Sequence, residues 1–448
     1  MRLFGTDGIR GAVNHHPMTP ETVLRVGMAV ACLLREKHGR NMILIGKDTR
    51  LSGYLIESAL TSGICSLGMN VTLVGPIPTP GIAFLTRTLR LDAGIVISAS
   101  HNPFEDNGIK IFSSEGLKLP DGLERRIEEL VQDDMLLKSR AKGSEIGRAY
   151  RLDDATGRYI EYLKSTMPKG VNFEGMKIVV DCANGAAYKT TPWLLRELGA
   201  EVVSLNDKPD GLNINTDCGS LHLDGLRKAV RFHRASVGIA HDGDADRTIF
   251  CDEKGSIVDG DKVMGMCAVE MKRNKTLKRD TVVSTVMSNL GLEKYLAMND
   301  LRLVRTKVGD RYVVEKMLEG GFNLGGEQSG HIIFLDLNTT GDGPLTATQV
   351  LYLMKNRDAS LSKLAREIKL YPQVLMNIPV ERKYDIKTIP EIEGAIKSAE
   401  KRLSGKGRVL VRPSGTEPTI RVMIEGEDPK LINNLSRGIA KVIRERMA

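Results

Sequence analysis

The stretch Ala93-Gly94-Ile95-Val96-Ile97-Ser98-Ala99-Ser100-His101-Asn102-Pro103 joins an apolar run to a short polar loop. Its first five residues have the composition of a buried β-strand, and the loop ends at a proline. In open parallel sheets, ligands bind beyond the carboxyl ends of the strands, which is where this loop would lie. The sequence therefore presents Ser100 as a nucleophile, a carrier of phosphate or an ordinary turn residue.

The residue next to Ser100 is a candidate base, but the local sequence argues against a serine hydrolase. Adjacent residues of an extended chain point in opposite directions, so we expect His101 to face away from Ser100. The flanking residues also lack the Gly-x-Ser-x-Gly pattern of a nucleophile elbow. Read alone, a serine in a turn before a proline is more often structural than catalytic.

A second polar loop, Asp242-Gly243-Asp244-Ala245-Asp246-Arg247, also follows an apolar run. Its three carboxylates alternate with small residues and can converge as oxygen ligands on one hard cation such as Mg²⁺. A calcium loop of the EF-hand type is disfavoured because Arg247 occupies the position that requires glycine. The remaining alternative is a solvated acidic turn. Beside such a cation, a serine can carry a phosphoryl group, because the cation offsets the charge of the phosphate.

Two further loops have the composition of anion-binding or sugar-binding loops. The segment Arg412-Pro413-Ser414-Gly415-Thr416-Glu417-Pro418, with Arg421 beyond it, can surround a phosphate with charged and hydroxyl donors. In the segment Gly325–His331, Glu327 can accept sugar hydroxyls and His331 can titrate near neutral pH. Read alone, the first loop is more typical of an ordinary Pro-Gly hairpin turn, and the residues of the second fit a capping or structural role equally well. The chain lacks a P-loop and a strand-linked Gly-x-Gly-x-x-Gly pattern, which argues against a nucleotide-binding kinase or dehydrogenase.

Length and composition predict a soluble protein of several domains. The chain has 448 residues, of which 41% are hydrophobic, and no apolar run approaches the roughly 18 residues of a membrane span. Basic and acidic residues are mixed despite a net charge of +8, and aromatic residues make up only 4%, which argues against nucleic-acid binding. Six scattered cysteines and a start without an apolar signal region predict a cytoplasmic location.

A pattern of strand, polar turn, helix and strand recurs along the chain. Because the strands are mostly apolar, each repeat predicts a parallel sheet covered on both faces. The first strands of the three repeats are Met42–Ile45, Lys177–Asp181 and Thr281–Val286. The C-terminal part differs, because strands at Arg408–Val411 and Thr419–Ile424 and a helix after Pro429 predict a smaller α+β domain. Charged, glycine-containing stretches at 140–147 and 252–255 fit linkers.

Taken together, these loops resemble those of the α-D-phosphohexomutase superfamily. The similar segments come in the order of the family and span nearly the whole chain: Thr6–Gly11, Ser98–Pro103, Asp242–Arg247, Gly326–His331 and Arg412–Pro418. Other segments are similar to the branch of the family that acts on glucosamine phosphates, namely Phe4–Gly11, Lys307–Tyr312, Thr339–Gly343 and the Gln328 loop. Leu221 departs from that branch, in which threonine is expected, but it lies outside the presumed chemistry.

The resemblance implies four domains around a central cleft. Three are related mixed-sheet α/β units, and the fourth is a smaller C-terminal α+β domain. The expected boundaries place the phosphoserine loop in residues 1–152, the metal-binding loop in 153–252, the sugar-binding loop in 253–370 and the phosphate-binding loop in 371–448.

The resemblance also implies an isomerase that interconverts glucosamine 6-phosphate and glucosamine 1-phosphate. Phosphate would pass from a phosphoserine at Ser100 to the sugar, and the bisphosphorylated hexosamine would reorient and return its other phosphate. One Mg²⁺ would be bound by the Ser100 phosphate together with Asp242, Asp244 and Asp246. The alternatives are a mutase for mannose or glucose phosphates and a catalytically silent sugar-phosphate sensor.

Further residue roles follow from the same resemblance. Arg10, Lys110 and His331 would surround the proton path, with His331 the preferred acid and base and Lys110 the second choice. The substrate-binding residues that it implies are Arg247, Glu327, Ser329, Arg412, Ser414, Gly415, Thr416 and Arg421. The expected partner is a small sugar phosphate, not a nucleic acid or a membrane, and the family suggests a homodimer.

Overall fold

A computed structural model of the chain describes residues 3–5, 7–35, 40–381, 389–413 and 418–447. The chain divides into two compact units, one formed by Met1–Met287 and Leu303–Arg366 and the other by Ser288–Arg302 and Glu367–Ala448. In the described residues, the larger unit contains three sheets and the smaller unit contains one. No helix among these residues combines the length and the hydropathy that crossing a lipid bilayer requires.

The first sheet has seven strands: β1 Phe4–Gly5, β2 Gly8–Ala12, β3 Met42–Lys47, β4 Asn70–Pro76, β5 Ala93–Ile97, β6 Asp106–Ser113 and β7 Ala149–Arg151. Their order is β1-β2-β6-β5-β3-β4-β7. Strands β5, β3, β4 and β7 are parallel, and β6, β2 and β1 are each antiparallel to a neighbour. The accompanying helices are α1 Pro20–Arg35, α2 Gly53–Ser66, α3 Thr79–Thr88 and α4 Asp121–Gln132.

The core of this sheet explains where its functional loops lie. All five residues of β5 are buried, and Ile95 and Ile45 belong to the same apolar cluster as Leu60 of α2. Because β3, β4 and β5 are parallel, the loops that follow them emerge at one edge of the sheet. Ser100 therefore lies at the same edge as the segments that follow β3 and β4.

The second sheet contains the acidic loop. Its elements are α5 Ala155–Ser165, β8 Lys177–Asp181, α6 Thr190–Glu197, β9 Glu201–Leu205, α7 Asp224–His233, β10 Val237–His241, β11 Thr248–Asp252 and β12 Ile257–Val258. The order is β12-β11-β10-β8-β9, with β10, β8 and β9 parallel. Strands β10 and β11 form an antiparallel hairpin in which His241 pairs with Thr248, so the segment between them is a hairpin loop.

The linker expected at residues 252–255 is wrong. Strands β11 and β12 are antiparallel, with Phe250 opposite Val258, and Gly255 donates a backbone hydrogen bond to Asp252. The segment is thus a tight hairpin turn, whose charged and glycine-rich composition is also that of a linker. This hairpin crosses the expected boundary between the second and third domains and keeps β12 in the second sheet.

The third sheet has the order β14-β13-β15-β16. The elements of this part of the chain are α8 Gly260–Arg273, β13 Thr281–Thr285, α9 Leu290–Met298, β14 Arg302–Thr306, α10 Asp310–Gly320, β15 Leu324–Gly326, β16 Ile332–Phe334, α11 Gly343–Asn356 and α12 Leu361–Ala365. Strands β13 and β15 are parallel, whereas β15 and β16 are antiparallel and joined by residues 327–331. Helix α9 lies in the smaller unit.

The smaller unit has an antiparallel sheet of order β17-β19-β18. Its remaining elements are β17 Gln373–Pro379, α13 Pro390–Leu403, β18 Gly407–Pro413, β19 Thr419–Gly426 and α14 Pro429–Met447. Val422 and Ile424 of the central strand pack in one core with Ile439 and Ile443 of α14. The predicted class of three mixed α/β units and a smaller C-terminal α+β domain is confirmed.

One buried hydrogen bond of the larger unit leads to a stability prediction. The Tyr159 hydroxyl on α5 donates to Asp342, 2.7 Å away, and Asp342 caps α11 by accepting from the Leu345 N–H. We expect Tyr159→Phe to lower the free energy of unfolding by about 1–3 kcal/mol, because a buried acceptor loses its donor. Urea denaturation of the full chain measures this. The control is Tyr150→Phe at an exposed tyrosine of β7; equal stability of the two variants would contradict the prediction.

Candidate active site

Ser100 lies beyond β5 and is directed at the acidic hairpin loop. Ser100 is 1% exposed, and its backbone φ is 53°, in the left-handed region. The Oγ atom donates a hydrogen bond to Asp242 Oδ2 over 2.6 Å, and the backbone N–H donates to Ser98 Oγ over 2.9 Å. The loops after β5 and β10 therefore meet at the Ser100 hydroxyl.

The orientation expected for His101 is wrong. Its Nδ1 lies 3.3 Å from Ser100 Oγ, because Ser100 has a left-handed backbone and the two side chains do not alternate as they would in an extended chain. Burial, together with the charges of Arg247 and Arg10, lowers the pKa of His101 to about 4. The imidazole is therefore neutral near pH 7.

Three buried carboxylates follow β10. Asp242, Asp244 and Asp246 each offer one oxygen, and these oxygens lie within 4.8 Å of one another. Among the described residues, Asp244 Oδ1 and Asp246 Oδ1 have no hydrogen-bond partner. Burial and the charges of Asp246 and Asp244 raise the pKa of Asp242 well above its ordinary value. Such unpartnered buried oxygens are suited to a hard cation, so the triplet could bind a divalent metal ion.

Lys110 on β6 orients two of these carboxylates. Its Nζ donates to Asp244 Oδ2 over 2.8 Å and to Asp246 Oδ2 over 3.1 Å, and it lies 3.4 Å from the Asp7 carboxylate. Burial alone would lower the pKa of Lys110, but the Asp244, Asp246 and Asp7 charges exceed that effect and raise it well above its ordinary value. By binding both Oδ2 atoms, Lys110 leaves the two Oδ1 atoms available to a cation.

Thr79 is a site residue that the sequence analysis missed. It begins α3, its Oγ1 donates to Asp244 Oδ2 over 2.7 Å, and its N–H donates to the Asp244 carbonyl over 2.9 Å. The available signal was its place just after β4, a parallel strand whose carboxyl end shares an edge with that of β5.

The glycine between the first two aspartates makes a close contact with the loop that contains Ser100. A Cβ atom at Gly243 would lie 2.5 Å from the Ser100 carbonyl oxygen and 2.8 Å from Asn215 Nδ2. We expect Gly243→Ala to lower kcat by roughly 10–100-fold, because a displacement approaching 1 Å separates the serine from the carboxylates. Steady-state kinetics on folded protein measures this.

The matched control for that variant lies in the same domain. A Cβ at Gly225, on α7, would have open space around it, so Gly225→Ala should keep full turnover and gain a few tenths to about 1 kcal/mol of stability. Equal kcat in the two glycine variants would contradict the close-contact argument.

A series of ion pairs runs from Lys110 to the loop that contains His331. Asp7 pairs with Arg10 and Lys118, Lys118 pairs with Asp310, and Asp310 lies 3.5 Å from His331 Nε2. Burial opposes ionisation of Asp7, but the Lys110, Lys118 and Arg10 charges hold its pKa well below the ordinary value.

The residues that link this series of ion pairs, Asp7, Lys118 and Asp310, were not predicted as site residues. Asp7 and Asp310 stood within segments that carried the resemblance, Thr6–Gly11 and Lys307–Tyr312, without a role being assigned to them. No local pattern pointed to Lys118.

Several polar atoms around the aspartate triplet and in the loop of residues 327–331 lack hydrogen-bond partners within the part of the chain that is described. These atoms are Arg10 Nε, Arg247 Nε, Ser329 Oγ and both ring nitrogens of His331. Arg10 Nη1 donates to the Ala99 carbonyl over 3.2 Å. Arg247 Nε lies 3.7 Å from Asp246 Oδ1, and Glu327 Oε1 accepts from the Gly309 N–H over 3.2 Å. These atoms are available to a polar ligand.

The charge of Arg247 is stabilised by its neighbours. Burial would lower its pKa, but the carboxylates of Asp246, Asp242 and Glu327 raise it. The charge of Glu327, a predicted substrate-binding residue of another loop, therefore favours the charged form of Arg247.

The smaller unit contains the remaining predicted residues. Arg412 of β18 is opposite Arg421 of β19 in the antiparallel register. Burial and the Arg421 charge lower the pKa of Arg412. Ser414, Gly415 and Thr416 lie outside the described residues. Two adjacent guanidinium groups are suited to a phosphate, with which arginine forms charge-assisted hydrogen bonds.

Comparison with known proteins gives a consistent result along the chain. Models of the phosphoglucomutase/phosphomannomutase family match α/β/α domain I at residues 1–137, domain II at 157–255, domain III at 259–371 and the C-terminal domain at 375–442. A phosphoglucosamine mutase of Thermodesulfovibrio yellowstonii is 56% identical over 445 residues, covering 97% of each chain. Another, of Geobacter sp. (strain M21), is 55% identical over 446 residues, covering 100% of this chain and 98% of the relative.

Solved structures show the same fold at low sequence identity. A phosphoglucomutase/phosphomannomutase family protein of Burkholderia thailandensis has a TM-score of 0.82 at 22% identity, covering 99% of this chain and 97% of the other. Aspergillus fumigatus N-acetylphosphoglucosamine mutase, in complex with GlcNAc-6P and magnesium, has a TM-score of 0.68 at 18% identity, covering 100% and 96%.

The four matched domains and the full-length identity define the class: the chain belongs to the phosphohexomutase superfamily and is an isomerase. Within that superfamily it is most similar to the bacterial phosphoglucosamine mutases, with which it shares more than half of its residues. The resemblance drawn from the loops is thereby confirmed.

Proposed function

We propose that the chain interconverts glucosamine 6-phosphate and glucosamine 1-phosphate through a phosphoserine at Ser100. The observation that carries the proposal is the Ser100 hydroxyl, 2.6 Å from Asp242 and beside two carboxylates with unpartnered oxygens. The full-length similarity to phosphoglucosamine mutases supports the choice of substrate.

The reaction consists of two phosphoryl transfers, one from Ser100 to the sugar and one back to Ser100. In the first, the bond between phosphorus and Ser100 Oγ breaks and a bond between phosphorus and the free sugar hydroxyl forms. The sugar hydroxyl loses its proton, and Ser100 Oγ gains one. The bisphosphorylated hexosamine then turns end for end and returns its other phosphate to Ser100 by the reverse set of bond changes.

The residues fit one Mg²⁺ per site. The ligands would be a phosphate oxygen on Ser100 and one oxygen from each of Asp242, Asp244 and Asp246. When bound, the ion would offset the negative charge of the phosphoryl group during transfer. Lys110 contributes a fixed positive charge, because its ammonium is hydrogen-bonded to Asp244 and Asp246.

We assign the proton transfer to His331, with Lys110 as second choice and Arg10 as a neighbour of the path. His331 is 3% exposed, its Nε2 lies 3.5 Å from the Asp310 carboxylate, and neither ring nitrogen has a hydrogen-bond partner among the described residues, which leaves the ring available for proton transfer. Lys110 is held between carboxylates, which suits it to stabilising charge. Arg10 is a poor base because arginine stays protonated.

The remaining residues would bind the sugar and the phosphate that does not react. Glu327 and Ser329 would accept and donate hydrogen bonds to sugar hydroxyls, and Arg247 would stabilise the transferring phosphoryl group. Arg412 and Arg421, with Ser414, Gly415 and Thr416, would hold the other phosphate. Because the intermediate reverses, this clamp must accept either end of the sugar.

A substrate comparison on phosphorylated protein tests the function. We expect kcat/KM to be higher for glucosamine 6-phosphate than for glucose 6-phosphate or mannose 6-phosphate. Peptide mapping should show one phosphate, on Ser100. A preference for mannose or glucose phosphate would identify the alternative mutase. Binding of sugar phosphates without isomerisation would identify a silent sensor and refute the proposal.

The location and the assembly of the chain are proposed from the resemblance and the composition. We propose a cytoplasmic homodimer whose partners are small sugar phosphates. Light scattering of the purified chain tests the dimer, and a monomer at working concentration would refute it.

A further inference from the structure

Arg50 is a buried charged residue that the proposed chemistry does not use. It lies in the turn between β3 and α2, and its side chain is 0% exposed. Guanidinium stays charged in proteins and presents five N–H donors in a rigid fork. A charge buried this deeply requires partners for its donors. Those partners indicate what Arg50 does.

The donors of Arg50 reach the backbone of the phosphoserine loop. Its Nη2 donates to the Ser100 carbonyl and to the Asn102 carbonyl, both over 2.9 Å, and Nη1 donates to the Pro103 carbonyl. Its Nε donates to Asp48 Oδ2 over 2.9 Å, which balances the buried charge. Arg50 thus joins three carbonyls of one short loop to a single rigid group.

The backbone N–H of Ser100 is attached to the same ion pair. Ser98 Oγ accepts from that N–H over 2.9 Å and donates to Asp48 Oδ2 over 2.6 Å. Both the N–H and the carbonyl of Ser100 are therefore linked, directly or through one hydroxyl, to the Asp48–Arg50 pair. This matters because Ser100 has a φ of 53°, which residues other than glycine seldom adopt.

The second domain supplies a matching contact. Asn215 Nδ2 donates to the Ser100 carbonyl and to the Asn102 carbonyl, both over 2.9 Å. The same two carbonyls thus accept from Arg50 on one side and from Asn215 on the other. Asn215 is only partly buried, so it can be changed without exposing the core.

We propose that Arg50 is a positioning residue for phosphoryl transfer, which fixes the backbone of residues 100–103 and so keeps Ser100 Oγ beside Asp242 in both half-reactions. This inference rests on the proposed function, since it requires Ser100 to carry the phosphate. Arg50 acts through the peptide groups of the loop. Removing its fork should therefore lower turnover more than it weakens the binding of sugar phosphate.

The experiment compares Arg50→Lys with Arg25→Lys in full-length, Mg²⁺-loaded protein that carries phosphate on Ser100. Lysine keeps the charge but cannot bind three carbonyls at once. Arg25 is a suitable control because its guanidinium also joins a carboxylate, Asp134, to a backbone carbonyl, that of Val131. We expect Arg50→Lys to lower kcat by roughly 10–100-fold with KM little changed, and to shift or broaden the ³¹P resonance of the phosphoserine. Arg25→Lys should match the wild type.

If Arg50→Lys does not yield folded protein, Asn215→Ala decides the question. This substitution removes the Asn215 donor from the Ser100 and Asn102 carbonyls. It should therefore lower kcat selectively and change the ³¹P signal in the same direction as Arg50→Lys, but by a smaller amount. A wild-type kcat and ³¹P spectrum in folded Arg50→Lys would overturn the positioning role. If Arg50→Lys does not fold, the same result in Asn215→Ala would overturn it. Failure of the proposed function would instead be seen in the wild type, as absent phosphate on Ser100 or absent isomerisation.

Discussion

Ser100→Ala should lower kcat/KM for isomerisation of glucosamine 6-phosphate by roughly 10³-fold or more, because no other atom can take its place in both half-reactions. Ser100 donates a hydrogen bond to Asp242 through Oγ, whereas its carbonyl oxygen accepts the hydrogen bonds of Arg50 and Asn215, which the variant keeps. The variant should therefore fold normally. A coupled assay for glucosamine 1-phosphate measures the loss, and intact mass should show that the phosphate is gone.

The control for this variant is Ser58→Ala, at an exposed serine of α2 whose hydroxyl donates to the Tyr54 carbonyl. It should keep both turnover and the phosphate. Retention of most turnover by Ser100→Ala would exclude a phosphoserine mechanism at this position. Phosphate retained in Ser100→Ala would show that another residue carries it.

The sequence was sufficient to predict the three strand–helix–strand repeats because strand patterns are local, whereas the meeting of the Ser100 and Asp242 loops, which follow strands of different sheets, was implied by the resemblance. The apolar runs that became β3, β8 and β13 each carry the signal of a parallel strand, and parallel strands place their following loops at one edge. The alternation of Asp242, Asp244 and Asp246 also predicted their convergence, since the hairpin loop brings one oxygen of each carboxylate within 4.8 Å of the others. These features depend on residues close together in the chain.

The ion pairs around the triplet could not be predicted in the same way. Lys118 is 111 residues from Asp7 and 192 residues from Asp310, so its pairing depends on how distant segments pack. Thr79 and Arg50 likewise act on loops that come from other strands. A charged or hydroxyl side chain has many possible partners, and only the folded chain selects one.

Backbone conformation accounts for the two local errors. His101 was expected to point away from Ser100 on the assumption of an extended chain, whereas the φ of Ser100 is 53°. Residues 252–255 were expected to form a linker, but the same glycine-containing composition also forms hairpin turns. Both errors arise because polar residues and glycine permit several backbone paths, and long-range pairing chooses among them.

Asp244→Asn should weaken Mg²⁺ binding by at least roughly 10²-fold, because it removes one of three converging carboxylates while keeping the shape of the side chain. The buried ion pair of Asp244 gives a second expectation, for the metal-free protein. Burial opposes ionisation of Asp244, but the Lys110 charge and the hydrogen bonds from Lys110 and Thr79 lower its pKa. Metal-free Asp244→Asn should therefore unfold at a lower Tm than the wild type, and it should also lose the rise in Tm that Mg²⁺ gives.

The loss of Mg²⁺ affinity and of the Mg²⁺-dependent rise in Tm separates a metal ligand from a merely structural aspartate, whose removal would lower Tm equally with and without Mg²⁺ and leave the affinity unchanged. Isothermal titration with Mg²⁺ and thermal unfolding in chelator and in excess Mg²⁺ measure both. Asp224→Asn is the control, since this aspartate lies on α7 of the same domain with its side chain 87% exposed. Wild-type Mg²⁺ affinity in Asp244→Asn, or full wild-type turnover after exhaustive chelation, would contradict a metal site at the unpartnered Oδ1 atoms of Asp244 and Asp246.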